Sequence, residues 1–126
     1  MIYMKVIYTD KAPAAIGPYS QAMVSGGFLF ASGQIPVNPA NGEISGADIT
    51  AQAEQVCKNI SAVLAEAGTG FEKVVKTTCF IADMADFAAF NAVYEKYFVS
   101  KPARSCVAVK QLPKNVLCEV EIIAEV

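Results

Sequence analysis

Apolar residues recur along this chain with two periods, and the places where one gives way to the other mark out its elements. Met4 to Thr9 predicts a short first strand. Lys11 to Tyr19 carries Pro13, Gly17 and Pro18, which predicts a loop of fixed geometry because proline locks φ. Gln21–Val24 and Phe28–Ser32 flank Ser25-Gly26-Gly27, a hairpin signal. Pro36, Asn38, Pro39, Asn41 and Gly42 then predict a turn-rich excursion.

The period next lengthens to that of a helix. Ile49, Ala53, Val56, Ile60, Val63 and Ala67 form one stripe, with Asp48 placed to cap its start and Gly68 and Gly70 to end it. Val74 to Ala82 is rich in Val, Thr, Phe and Ile and predicts a strand. Asp83 is then expected to cap a second helix, with Asp86 in its first turn and Phe87, Phe90, Asn91, Tyr94 and Phe98 as its stripe. Ala103–Val109 and Val116–Val126 predict two last strands around a turn at Leu112-Pro113-Lys114-Asn115. In the final strand Val116, Cys118, Val120, Ile122, Ala124 and Val126 share one face. Leu117, Glu119, Glu121, Ile123 and Glu125 share the other, a mixture suited to solvent and a second subunit together. The order β-β-β-α-β-α-β-β makes an α+β fold, one mixed sheet with two helices on one face.

A length of 126 residues suits a single domain over 1–126. The apolar fraction of 54% is high for so small an interior, so apolar surface between subunits is expected. No apolar run approaches the ~18 residues of a membrane helix. Met1-Ile2-Tyr3-Met4-Lys5 lacks the basic-then-apolar order of a secretory signal, so a cytoplasmic address is expected. The net charge is −2 and the ten Lys and Arg are dispersed, so neither nucleic acid nor an anionic membrane is an expected partner. Cys57, Cys79, Cys106 and Cys118 form no C-x-x-C pair; the first, second and fourth read as buried thiols, and Cys106 is left open.

Histidine is absent, which removes Ser-His-Asp and Cys-His hydrolases and any imidazole base. Ser32-Gly33-Gln34 is therefore no nucleophile elbow, and Gly26-Gly27 and Gly68-Thr69-Gly70 lack phosphate-loop spacing. No metal-ligand spacing is present. Four polar positions carry candidate chemistry. Asn91 interrupts an apolar stripe, so its amide bonds either a loop backbone or a ligand. Arg104 begins a strand, sharing a face with Cys106, and its planar fork suits a carboxylate; the alternative is an ion pair with Glu119 or Glu121. Glu119 is either a water-activating carboxylate or an exposed strand charge. Tyr19, held beside Pro18, either lines a pocket or serves as an apolar lid.

These residues stand within a longer series. Ala12-Pro13-Ala14-Ala15-Ile16-Gly17-Pro18-Tyr19-Ser20-Gln21 is followed by Ser32-Gly33-Gln34-Ile35-Pro36 and Lys76-Thr77-Thr78. Asp86, Phe87, Asn91 and Tyr94 come next, then Pro102-Ala103-Arg104-Ser105-Cys106-Val107, Leu112-Pro113-Lys114 and Glu119-Val120-Glu121. In this order and register the chain resembles the RidA (YjgF/UK114) family of enamine/imine deaminases. The resemblance implies a chorismate-mutase-like α+β fold, a homotrimer with sites between subunits, and no cofactor. It also implies hydrolysis of 2-iminobutanoate and 2-iminopropanoate to 2-oxo acids and ammonia. Arg104 would bind the substrate carboxylate and Glu119 would position water, while Tyr19, Gly33, Asn91 and Cys106 complete the pocket. The rival readings are a non-catalytic trimeric binder of small 2-oxo acids, and the ribonuclease or chaperone activities attributed to some relatives.

Overall fold

The computed structural model describes residues 4–126; of Met1-Ile2-Tyr3-Met4-Lys5, on which the reading of the N-terminus rests, the first three lie outside them. Six strands, β1 (Lys5–Ile7), β2 (Ala22–Ser25), β3 (Phe28–Gln34), β4 (Val74–Ile81), β5 (Ala103–Ala108) and β6 (Cys118–Glu125), form one sheet in the order β1-β2-β3-β6-β4-β5. Neighbours are antiparallel except β4 and β5, which run parallel. Helices α1 (Ile49–Glu66) and α2 (Phe87–Tyr97) pack on each other and cover one face. The expected α+β architecture is the observed one.

The core lies between that face and the helices. Cys118, Val120, Ile122 and Ala124 of β6 are buried beneath Val56, Ile60, Val63 and Leu64 of α1, as the alternation required. Asp48 caps α1 by accepting from the Ala51 amide at 2.9 Å. Gly68 ends it in a left-handed conformation (φ 77°), while the Thr69 amide donates back to Leu64 O at 3.0 Å. The opposite face is uncovered. Val6, Met23, Phe30, Ile123 and Lys76 stand in one cross-strand row on it, and Phe28 and Phe30 are exposed.

Several boundaries differ from expectation. β1 ends at Ile7 because the Thr9 amide donates to the Gln21 side chain (2.7 Å) instead of to a strand. β3 runs on to Gln34 through a bulge, with Ala31 opposite Ile122 but Gln34 opposite Val120. Asp83 caps a 3-10 turn at Met84–Asp86, and Asp86 precedes α2 without capping it. The 3-10 turn at Phe71–Lys73 was not expected at all.

Candidate functional site

The register of β5 on β4 sets Arg104 opposite Thr77 and Cys106 opposite Cys79, on the helix-covered side of the sheet. There Arg104 Nη1 donates to Asn91 Oδ1 at 2.7 Å. The guanidinium carbon lies 4.7 Å from the Tyr94 ring centroid and 5.5 Å from that of Phe87, within cation–π range. Asn91 and Arg104 are therefore partners of each other. Among the described residues the single ion pair joins Lys96 to Glu54, so Arg104 does not pair with Glu119 or Glu121. A guanidinium carries five donors. Arg104 also helps to line a cavity of about 630 Å³, together with Asn91, Tyr94, Glu95, Phe98 and Lys101.

Cys106 is half-buried beside this group, and burial pushes its thiol up despite the nearby Arg104 cation. Cys57, Cys79 and Cys118 are buried free thiols as expected, and burial pushes Cys79 and Cys118 up to about 12. A raised thiol is a poor nucleophile, so the sulfur of Cys106 is less suited to attack than its backbone is to lining a pocket.

Glu119 belongs to a second cluster. It pairs across β6–β4 with Phe80 and lies on the uncovered face, half-buried. Burial, then the neighbouring Glu121, raises its carboxyl above the ordinary 4.5. The β3 bulge brings Gly33 against it: a Cβ at Gly33 would collide with Oε2 and come within 2.8 Å of the carboxyl carbon. Glycine here leaves the Glu119 carboxylate its place, since a methyl would push that flexible side chain aside; no special φ is involved. Gly33 and Tyr19 line a cavity of about 500 Å³ together with Ile16, Ile35, Pro113 and Lys114. Tyr19 is exposed, its ring lying over Gly17.

The candidate residues thus fall into two groups. Arg104, Asn91 and Cys106 lie on the helix side of the sheet; Glu119, Gly33 and Tyr19 lie on or beside the other. Arg104 aligns with Thr77 and Ile122, whereas Glu119 aligns with Phe80, three residues further along β4 and so on the opposite face. One copy of the chain does not bring Arg104 and Glu119 together.

Sequence reasoning missed the residues that hold these walls. Asn59, fully buried on α1, donates to Ile35 O (3.1 Å) and Val37 O (3.0 Å) and accepts from Gln55 Nε2 (2.9 Å). Gln52 donates to Gly46 O (3.2 Å) and accepts the Leu117 amide (2.8 Å), two residues before Glu119. Gln21 clamps the proline-rich loop through Thr9, Ala12 and Pro13 carbonyls. The signal was present: Gln52 and Asn59 sit at i+3 from Ile49 and Val56, polar residues inside an apolar stripe.

Among the described residues no group of three or more His, Cys, Asp and Glu is placed to hold a metal ion, and no helix is long and apolar enough to cross a membrane. Comparison with known proteins places this geometry in a family. A Lactococcus lactis protein named as a candidate regulator, AldR, is 60% identical, with 98% of each chain aligned. The 2-iminobutanoate/2-iminopropanoate deaminase of Escherichia coli K12 is 50% identical over 95% of this chain and 96% of its own. YyfA of Yersinia pestis, a structure described as a Rid-family protein of unknown function, superposes with a TM-score of 0.96 at 51% identity, covering 98% of this chain and 100% of that one. The family model described as endoribonuclease L-PSP matches residues 9–126, and with relatives this similar along nearly its whole length the chain belongs to that family, the RidA/YjgF group whose motifs stand in its sequence.

Proposed function

We propose that this protein hydrolyses small 2-imino acids, such as 2-iminobutanoate and 2-iminopropanoate, to 2-oxo acids and ammonia, at sites shared between copies of a homotrimer. The observation that carries the reading is the Arg104 guanidinium, held over the Tyr94 and Phe87 rings and, among the described residues, ion-paired to no carboxylate. Such a fork grips a substrate carboxylate and orients the adjoining C=N bond. Glu119 of a second copy supplies the other half. As an anion it takes a proton from water while the oxygen attacks the imine carbon, and it returns that proton to the departing amine. Imine and water become oxo acid and ammonia, so the equation balances with no further reactant. The uncovered row from Val6 to Lys76 is the surface on which copies would meet. Four free thiols fit a reducing compartment, in keeping with a cytoplasmic protein. A ribonuclease reading has less support, because the acidic balance and dispersed cations offer RNA no phosphate-binding face.

The test couples a threonine dehydratase to the protein and follows 2-oxobutanoate release at early times. Acceleration is expected; an unchanged rate would leave a binder of small 2-oxo acids. Arg104→Ala and Glu119→Gln chains should each be inactive, yet co-expression at equal levels should restore about a quarter of wild-type activity, since random mixing pairs two intact halves at that frequency. No recovery in trimers shown to be mixed by pull-down of one chain through a tag carried only by the other, or full activity in a stable monomer, overturns the shared site.

Cys106→Ala is expected to keep most of this activity in assembled protein, because the thiol is raised and only its backbone is assigned to the pocket. Complete loss with assembly intact would make the sulfur a nucleophile.

A further inference from the structure

The aromatic ring beneath Arg104 is tied in place at its far end. The Tyr94 hydroxyl and Thr77 Oγ1 share a hydrogen bond of 2.7 Å, and Thr77 is fully buried. Thr77 is also the residue directly opposite Arg104 in the β4–β5 register. The contacts close a circuit: Arg104 and Thr77 stand side by side on neighbouring strands, Thr77 holds the Tyr94 hydroxyl, and the Tyr94 ring lies 4.7 Å from the guanidinium carbon. Tyr94 stacks on Phe98, with centroids 4.2 Å apart and planes 19° from parallel, so the ring cannot tip freely on its other side.

We propose that Tyr94, locked by Thr77, is a positioning residue that sets the plane of the Arg104 guanidinium and so aims it at a carboxylate. This deepens the proposed function and rests on it. Asn91 alone fixes one nitrogen and leaves the fork free to turn about that bond; a ring beneath the fork removes the rotation. A phenylalanine would supply the same apolar contact, so packing does not explain the hydroxyl. Thr77 Oγ1 is buried and otherwise accepts only from the Cys79 thiol, a weak donor at 3.9 Å, so losing the Tyr94 hydroxyl leaves it poorly satisfied.

The experiment measures imine hydrolysis and 2-oxobutanoate affinity for Tyr94→Phe, Tyr94→Leu, Thr77→Val and Thr77→Ser. Tyr94→Phe and Thr77→Val should each lower kcat/KM about fivefold, the weight of one neutral hydrogen bond. The double variant should be no worse than either alone. Tyr94→Leu, which also removes the ring, should lose more, and Thr77→Ser should stay near wild type and serve as the folded control. The deciding arm measures 2-oxobutanoate affinity, because Arg104→Ala is expected to be inactive, and compares Tyr94→Phe in the wild-type and Arg104→Ala backgrounds. Acting through Arg104, Tyr94→Phe should cause no further loss in the second; the same loss in both backgrounds, or an equal loss in Thr77→Ser and Thr77→Val, overturns the proposal. Wild-type protein inactive on imines would instead reject the proposed function. Positioning is then still read from the affinity arm, where Tyr94→Phe should weaken binding only if Arg104 is present; weakening in both backgrounds, or in neither, overturns it.

Discussion

Arg104→Lys is expected to fail nearly as badly as Arg104→Ala, although it keeps the charge. The guanidinium reaches Asn91 with one nitrogen and sits over the Tyr94 ring, leaving its other donors as a planar fork. Lysine offers a point cation on a flexible stem. It can approach an aromatic face, but it presents no second parallel bond and no plane for the ring to align. A charge-assisted hydrogen bond contributes about 1.5–3 kcal/mol, so losing one should weaken 2-oxobutanoate binding about tenfold or more. Turnover should fall as well, because the lost bond is the one that orients the imine toward water. Titration of 2-oxobutanoate and steady-state hydrolysis on assembled variants check both numbers. Near-normal values for Arg104→Lys would mean that charge alone suffices, and near-normal values for Arg104→Ala would remove Arg104 from the site.

Glu119→Gln should lose about a hundredfold or more in kcat while keeping the oligomer and its affinity for 2-oxobutanoate, since the amide preserves shape and cannot take a proton. The raised carboxyl sets the direction of the pH dependence. The anion is the working form, so wild-type kcat/KM should fall with falling pH along a limb centred above 4.5, and that limb should vanish in Glu119→Gln. Stability runs the other way. Between 4.5 and the raised value the folded state binds more protons than the unfolded, so this group's contribution declines as pH rises through that interval. Glu119→Gln should therefore melt no lower than wild type at neutral pH. Gly33→Ala is the companion variant: its methyl displaces the carboxylate, so it should reproduce the kinetic loss with Glu119 still present. Normal rates in both variants would move the base elsewhere.

Strand and helix cores were legible in the sequence because their periods are local properties. Asp48 and Gly68 mark the ends of α1 by side-chain and backbone chemistry that does not depend on distant contacts. The 3-10 turns at Phe71–Lys73 and Met84–Asp86 were not, because single turns of this kind have no period to read. Strand alternation put Arg104 and Cys106 on one face and Glu119 among the mixed residues of β6. It could not relate the two faces, since that needs the order β6-β4-β5 and the three-residue step from Thr77 to Phe80. The partnership of Arg104 with Asn91 likewise depends on how α2 lies against β5, which neither segment encodes alone.

The side chains of α1 grip the 35–46 segment by its carbonyls, at Ile35, Val37 and Gly46. Every amino acid has a carbonyl. Those three grips are therefore indifferent to the side chains at the positions held, while Asn38, Asn41 and Ser45 shape the turns between them and Gly42 keeps a left-handed φ of 74°. Variation can alter what the cavity beside Gly33 presents to a substrate while the frame behind it stays still. The chain in effect separates the inheritance of its shape from the inheritance of its taste.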